Sequence, residues 1–235
     1  MGKLYDELTS DYRLKEGLNA CINCGTCTAI CPAAEFYQYD PRRIVDMVQS
    51  KDDAVIEELL NSDTIWYCGE CMSCVTRCPR KNAPGLVIMA LRNMSMARGN
   101  FINSEKGRQQ YALTKVLTGN VLNYGYCVYP RAFKAELHPE AGPIWEWIEK
   151  NMDDVYARNG ANLDGEGPGA LRKIPQSDLD ELKRIFDITG ATERIDNVNR
   201  LSMEKAKELG LSEEEYFMKV FTESSNNHFN NNNEE

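Results

Sequence analysis

Along much of this chain apolar side chains recur three and four positions apart, the period of a helix that lays one face on a core. Leu4, Tyr5, Leu8 and Tyr12 predict a short amphipathic helix within residues 1–20. Asp40-Pro41 reads as a capping residue and a first helical residue, opening a helix that turns Ile44, Met47 and Val48 to one side. Val55, Ile56, Leu59 and Leu60 form the next stripe, which Asn61-Ser62-Asp63 ends, and Ile65-Trp66-Tyr67 follows as a bulky apolar run. Pro84 starts a helix carrying Leu86, Val87, Ala90, Leu91 and Met94, with a stop at Arg98-Gly99. Residues 105–118 read as helix, with Tyr111, Val116 and Leu117 apolar, and Val121 to Ala141 as an irregular aromatic segment. Pro143 opens a helix with Ile144, Trp147, Ile148 and Val155; the glycines of 164–169 mark a loop. Ser177 caps a helix bearing Leu179, Leu182, Ile185 and Phe186 that Gly190 stops. Two short helices are expected from Ser202 to Leu209 and from Ser212 to Phe221, the second opened by the capping box Ser212-Glu213-Glu214-Glu215. The polar stretch 226–235 predicts a disordered tail.

Set between these helices are two copies of one pattern, C-x2-C-x2-C-x3-C-P. Cys21, Cys24, Cys27 and Cys31 precede Pro32, and Cys68, Cys71, Cys74 and Cys78 precede Pro79, each 47 positions after its counterpart. Three closely spaced thiolates suit three corners of a 4Fe-4S cube, and in two-cluster ferredoxins the fourth cysteine serves the other cluster. The expected ligand sets are therefore Cys21, Cys24, Cys27 with Cys78, and Cys68, Cys71, Cys74 with Cys31. Zinc, the main rival, takes four ligands per ion from paired C-x2-4-C units, usually with a longer gap between the pairs, so three cysteines at x2, x2 spacing in both runs suit a cube better. A thioredoxin-like reading of any single C-x-x-C lacks a surrounding βαβ pattern. Gly25 and Gly69 leave room for the backbone to approach the cluster sulfides.

Composition adjusts this picture in three ways. Eight of nine cysteines fall in the two runs, which with no secretory leader at Met1-Gly2-Lys3 points to metal in a reducing cytoplasm over a disulfide framework. No apolar run reaches the roughly 20 residues a membrane helix needs, so contact with a membrane is expected only through partners. The formal charge of −9 divides as −2 over residues 1–100 (11 basic, 13 acidic) and −7 over 101–235 (16 basic, 23 acidic). An acidic chain without a basic stripe is a poor match for nucleic acid, and protein partners are expected instead. The ninth cysteine, Cys127, reads as a buried structural thiol. His138 and His228 read as surface residues, and Trp66, Trp145 and Trp147 as core or interface aromatics.

The 36 residues between Cys31 and Cys68 carry helical periodicity and no hairpin alternation. Two ligand runs joined by helices resemble the α-helical ferredoxin module found in iron-sulfur subunits of succinate dehydrogenase and related enzymes. The expected fold is mainly α: a dicluster module over residues 1–100, a helical and irregular extension over 101–225 for docking partners, and the tail from 226. Neither a nucleotide-binding loop nor a catalytic constellation is readable, so the chain is expected to pass electrons and to have no catalytic residues of its own.

The wording Cys24-Gly25-Thr26-Cys27-Thr28-Ala29, Cys31-Pro32-Ala33-Ala34, Pro41-Arg42-Arg43-Ile44-Val45 and Ile65-Trp66-Tyr67-Cys68 resembles the C-type iron-sulfur subunits of heterodisulfide reductase over roughly residues 15–98. The resemblance implies an electron-transferring partner of a cysteine-rich B-type subunit, where the disulfide chemistry of that family takes place, in a complex that also has a flavin-binding A-type subunit. The length past residue 120, with the aromatic segment 124–147, is similar instead to the homologues in the heterodisulfide reductase-like complex of sulfur-oxidising prokaryotes, which works with a lipoate-binding protein. The alternative function is the iron-sulfur subunit of a lactate, glycolate or succinate/fumarate type dehydrogenase, and a zinc-stabilised scaffold is a third.

Overall fold

The computed structural model describes residues 2–138 and 141–223, and every regular element among them is helical. The expected tail at 226–235, Pro139 and His228 lie outside the described residues. The chain divides into two compact units: one takes the chain up to Tyr111 and resumes at Asp196, the other holds Ala112–Ile195. The division thus falls at Tyr111, past the expected boundary near residue 100, and the C-terminal helices belong with the N-terminal ones.

The first unit opens with α1 (Lys3–Leu8) and α2 (Tyr12–Gly17), two short helices where one was expected. Leu4, Leu8 and Leu14 are buried, whereas Tyr12 is 69% exposed and takes no part in the core. The first ligand run carries the short α3 (Thr26–Ala29), and α4 (Ala33–Phe36) follows it. Next come α5 (Pro41–Gln49) and α6 (Asp53–Leu60), capped by carboxylates that accept from the first free N-H groups, Asp40 from Arg43 at 3.1 Å and Asp52 from Ala54 at 2.9 Å. Asp53 also receives the Leu4 N-H at 3.0 Å, so the start of α6 caps α1. After the second ligand run, α7 (Pro84–Arg98) begins on its proline and ends on Gly99 at φ 84°, a left-handed conformation that favours glycine.

Helix α7 is the spine of this unit. It packs against α2, α5 and α6, and buries Val87, Ile88, Ala90, Leu91 and Met94 among Leu8, Ile44, Val48, Ile56 and Leu60. Each fully buried branched side chain of this kind contributes about 1.5–3 kcal/mol. The cysteines Cys21, Cys31 and Cys68 pack against the same core. Helix α8 (Glu105–Leu113) starts beyond it, and its Tyr111 is fully buried, with its ring centroid 5.7 Å from that of Tyr216 and its hydroxyl on Glu213 at 3.1 Å.

In the second unit a π-helical turn, Thr114–Thr118, runs into α9 (Gly119–Tyr124), so Val121 to Tyr124 are helical where irregular chain was expected. From there to residue 138 only two 3-10 turns occur. The helix expected from Pro143 breaks at Asn151 into α10 (Ile144–Lys150) and α11 (Met152–Arg158), and Ile144 and Trp147 of its expected apolar face are 57% and 50% exposed. Helix α12 (Gln176–Ile188) begins after Pro175, which places Ser177 inside it, and Ile185 is half exposed.

Gly190 stops α12, but α13 (Ala191–Glu208) starts at once and runs 18 residues, absorbing the short helix expected from Ser202. Its later part lies in the first unit, where the Asn197 amide caps Met96 O at 3.0 Å. Helix α14 (Glu213–Thr222) carries the full capping box expected at Ser212. Cys127, expected to be buried, is exposed.

Candidate metal centres

The two ligand runs fold alike. In each, the residue before the second cysteine has positive φ, Asn23 at 59° and Glu70 at 52°, and so does the residue after it, Gly25 at 80° and Met72 at 57°. Left-handed residues of this kind turn successive N-H groups inward into an anion-binding nest. The Asn23 N-H donates to Cys21 Sγ at 3.4 Å, and the Glu70 N-H to Cys68 Sγ at 3.4 Å. A hydroxyl stands 3.4 Å from the second cysteine of each run, Thr26 from Cys24 and Ser73 from Cys71. These hydroxyls, with the neighbouring N-H groups, hold both thiols below their usual range, while burial pushes Cys27 and Cys74 up.

Side chains from the helical spacer and from α7 fix the runs in place. The Gln49 carboxamide at the end of α5 accepts the Cys21 N-H at 2.6 Å and donates to Cys21 O at 3.4 Å. Arg92 of α7 does the same for the second run, donating to Ile65 O and Cys68 O at 2.6 Å each and pairing with Glu70 at 2.6 Å. Its guanidinium lies over the Trp66 ring, 5.5 Å from the centroid.

Two cavities result, and each mixes the runs. One is lined by Cys21, Cys24, Cys27 and Cys78. The other is lined by Cys31, Cys68, Cys71 and Cys74. Each cavity gathers four thiols, three from one run and one from the other. That donor set fits a 4Fe-4S cube, four irons alternating with four sulfides and one thiolate on each iron.

Two buried donors test the fit independently. Tyr39, 4% exposed, lines the second cavity, and its hydroxyl has no oxygen or nitrogen acceptor among the described residues, only the Cys68 sulfur beside it. Asn82, 1% exposed, lines the first; its Oδ1 accepts the Asn19 N-H at 2.6 Å, yet its Nδ2 is left without an acceptor. An unsatisfied buried polar group costs about 1–3 kcal/mol. One such donor at each ring of thiols is what sulfides accepting hydrogen bonds would relieve. Burial, and then the nearby Cys68 sulfur, push the Tyr39 hydroxyl well above its ordinary range, so it stays protonated as a donor. The space that a Cβ on Gly25 or on Gly69 would fill is open in both cavities.

Sequence patterns identified the eight cysteines but not Gln49, Arg92, Asn82 or Tyr39. Asn82 and Tyr39 carry a faint signal, the one in the polar stretch after Cys78-Pro79 and the other in the aromatic stretch after the first run.

Helices throughout and two such cavities define the class, and the family described as a 4Fe-4S dicluster domain matches residues 17–82. The chain is an α-helical protein that carries two 4Fe-4S clusters. It is 36% identical over 178 residues to the C-type subunit of the ferredoxin:CoB-CoM heterodisulfide reductase of Methanosarcina acetivorans, a stretch that is 76% of this chain and 64% of that protein, just under two thirds. It is 30% identical to the second C-type iron-sulfur subunit of the CoB-CoM heterodisulfide reductase of Methanocaldococcus jannaschii, over 60% of this chain and 71% of that one. With the C-type subunit of the H2:CoB-CoM heterodisulfide,ferredoxin reductase of Methanothermobacter marburgensis it shares 32% identity over 74% of this chain and 76% of that one. The chain belongs to the family of heterodisulfide reductase C-type iron-sulfur subunits. The likeness reaches well past the expected residues 15–98. No helix among the described residues is long and apolar enough to cross a membrane.

Proposed function

We propose that this chain is the electron-relaying iron-sulfur subunit of a heterodisulfide reductase-type complex, with Cys21, Cys24, Cys27 and Cys78 holding one cluster and Cys68, Cys71, Cys74 and Cys31 the other. The observation that carries the proposal is the mixing of runs in both cavities, three cysteines from one and the fourth from its repeat. A bound 4Fe-4S cluster supplies one-electron chemistry. The protein's own part is to hold the thiolates, offer inward N-H and O-H donors, and keep the two centres close together by exchanging their fourth ligands. Its partners on this reading are a cysteine-rich B-like subunit that acts on a disulfide and a flavin-binding A-like subunit, in the cytoplasm, with the second unit and the C-terminal helices available for docking.

Chain length past residue 120 and the segment 124–147 are the observations behind a role in oxidation of sulfur compounds. A likeness of 178 residues in a chain of 235 must run through that segment, however, and it is to a protein named for heterodisulfide reduction. Heterodisulfide reduction is therefore the reading the comparison favours.

Anaerobic purification of the chain with its partners tests both levels. We expect about eight irons per chain, together with a flavoprotein and a cysteine-rich subunit. Fewer than about four irons refutes two cubes, and co-purification with a lactate, glycolate or succinate dehydrogenase flavoprotein refutes the heterodisulfide assignment.

A further inference from the structure

The two cavities are matched in their inner hydrogen bonding and unmatched in charge. Each has one N-H on the first sulfur of its run, one hydroxyl beside the second, and one buried donor awaiting an acceptor. Beyond that frame, the cavity of Cys21, Cys24, Cys27 and Cys78 is lined by two arginines, Arg42 and Arg80. No charged side chain lines the other, whose corresponding wall is Ala33, Tyr39, Met72 and Ile88. Exchange of the fourth cysteine produces this difference. Cys78 brings its own sequel, Pro79-Arg80, to the first cavity, whereas Cys31 brings Pro32-Ala33 to the second.

Arg92, which bonds to the Cys68 carbonyl beside the second cavity, is neutralised by Glu70 at 2.6 Å and also donates to Ile65 O. Arg42 is likewise paired, with Asp40 at 2.7 Å, but Arg80 has only a carbonyl, Ala20 O at 3.4 Å, and no carboxylate among the described residues. Each cavity has a further N-H on sulfur, Asn82 to Cys78 Sγ at 3.2 Å in the first and Gly85 to Cys74 in the second, so the difference between them is one of charge. Uncompensated positive charge favours the more negative, reduced form of a thiolate-bound cluster, and so raises its potential.

We propose that Arg80, supported by Arg42, makes the centre of Cys21, Cys24, Cys27 and Cys78 the higher-potential one, so that an electron entering the chain rests there and the apolar centre of Cys31, Cys68, Cys71 and Cys74 lies upstream. This deepens the ligand sets proposed above and rests on them. Both arginines act as positioning residues through charge, without ligating.

The test is redox titration of the full chain, purified anaerobically with its clusters and followed by electron paramagnetic resonance. Cys24→Ser marks its own cluster by changing that signal. We expect two signals, the one with the higher midpoint being the one Cys24→Ser alters. Arg80→Gln lowers that midpoint by about tenfold in the electron equilibrium, which is 59 mV for one electron, while the other midpoint stays in place. Arg42→Gln, which leaves Asp40 uncompensated, lowers it as well, and Arg80→Lys restores most of the shift. A higher midpoint on the other cluster, an Arg80→Gln shift equal at both, or none at either overturns the proposal. Iron content and spin integration of the unaltered chain are read separately: fewer than two clusters refutes the ligand sets themselves.

Discussion

Tyr39→Phe separates a protein built around a cluster from one that merely has a cavity, because the two cases give opposite signs. The substitution removes one oxygen and leaves the ring, which packs edge-on to Tyr67 at 6.3 Å, in place. If nothing in the cavity accepts from the hydroxyl, its loss relieves an unsatisfied buried group, and the variant gains up to about 1–3 kcal/mol. If a cluster sulfur accepts, the variant loses a hydrogen bond with a net value of about 0.5–1.5 kcal/mol. That bond is stronger to the reduced form, which carries one more negative charge, so its removal also lowers the midpoint of the centre held by Cys31, Cys68, Cys71 and Cys74. The shift cannot exceed the whole bond, which sets a ceiling of about 60 mV for one electron. Denaturant unfolding of the cluster-loaded chain, followed by the visible absorbance of the clusters, reads the first quantity, and redox titration the second. We expect a lower unfolding midpoint and a drop of some tens of millivolts confined to one cluster. A cluster-loaded Tyr39→Phe chain that is more stable than the parent, with both potentials unmoved, would refute the donor role and with it the fit argument for that cavity.

Further tests bear on other parts of the structure. Asn82→Asp keeps the acceptor for the Asn19 N-H but turns the orphaned donor into a charge; we expect a larger fall in the potential of the Cys21 centre than Tyr39→Phe causes at the other, read by the same titration. Cys78→Ser should alter the resonance of the cluster on Cys21, Cys24 and Cys27, across the sequence repeat, and loss of the Cys68 signal instead would overturn the exchange of fourth ligands. Gly99→Ala forces a side chain into φ 84° and a Cβ within 3.0 Å of Leu201 Cδ1; thermal unfolding should show a loss of at least about 1 kcal/mol. Ser95→Ala removes a buried hydrogen bond to Leu60 O, 2.8 Å long, that ties α7 to the end of α6; chemical denaturation should register about 1 kcal/mol or somewhat more.

Where the chain carries its own punctuation, the elements are legible in the sequence. Asp40-Pro41, Pro84 with Gly99, and Ser212 with Glu215 each satisfy helix ends locally, within a few residues, and the structure has these caps as expected. Where the signal is only apolar content, the reading fails. Tyr12, Ile144, Trp147 and Cys127 are apolar or weakly polar and yet exposed, since burial is decided by what folds opposite them. The first half of α13, Ala191 to Arg200, is mostly polar and offers no stripe to read, yet it is helical up to and beyond Asn197, which bonds to the end of α7. The candidate site shows the same divide. Cysteine spacing exposes eight positions because ligand geometry is written in short intervals. Gln49 and Arg92 reach Cys21 and Cys68 from 28 and 24 residues away, and such contacts have no local pattern.

The placement of these distant contacts bears on how the module folds. Each ligand run is a loop with little regular structure beyond one short helix in the first, held to its neighbouring helix by a few polar side chains, Gln49, Arg42 and the capping Asp40 for the first run and Arg92 for the second. The rest of its order has to come from within the cavities. There the unsatisfied Tyr39 hydroxyl and Asn82 amide oppose folding while the thiols are bare, and favour it once sulfides occupy the space. Because each cavity takes cysteines from both runs, either cluster alone would join the two runs, at separations of 51 to 57 residues for Cys21, Cys24 and Cys27 with Cys78 and 37 to 43 for Cys31 with Cys68, Cys71 and Cys74, and the second would then assemble on a largely formed site. Cluster binding and ordering of the two ligand runs should therefore be coupled, as in other small metal domains, with the α5, α6 and α7 core as the preformed support. Removing iron should loosen the two runs first and leave that helical core folded, an order that hydrogen exchange can follow: fast exchange of the Asn23, Glu70 and Asn82 amides with persistent protection of Val87 to Leu91. Simultaneous loss of protection in both sets would show instead that the helices, too, depend on the metal.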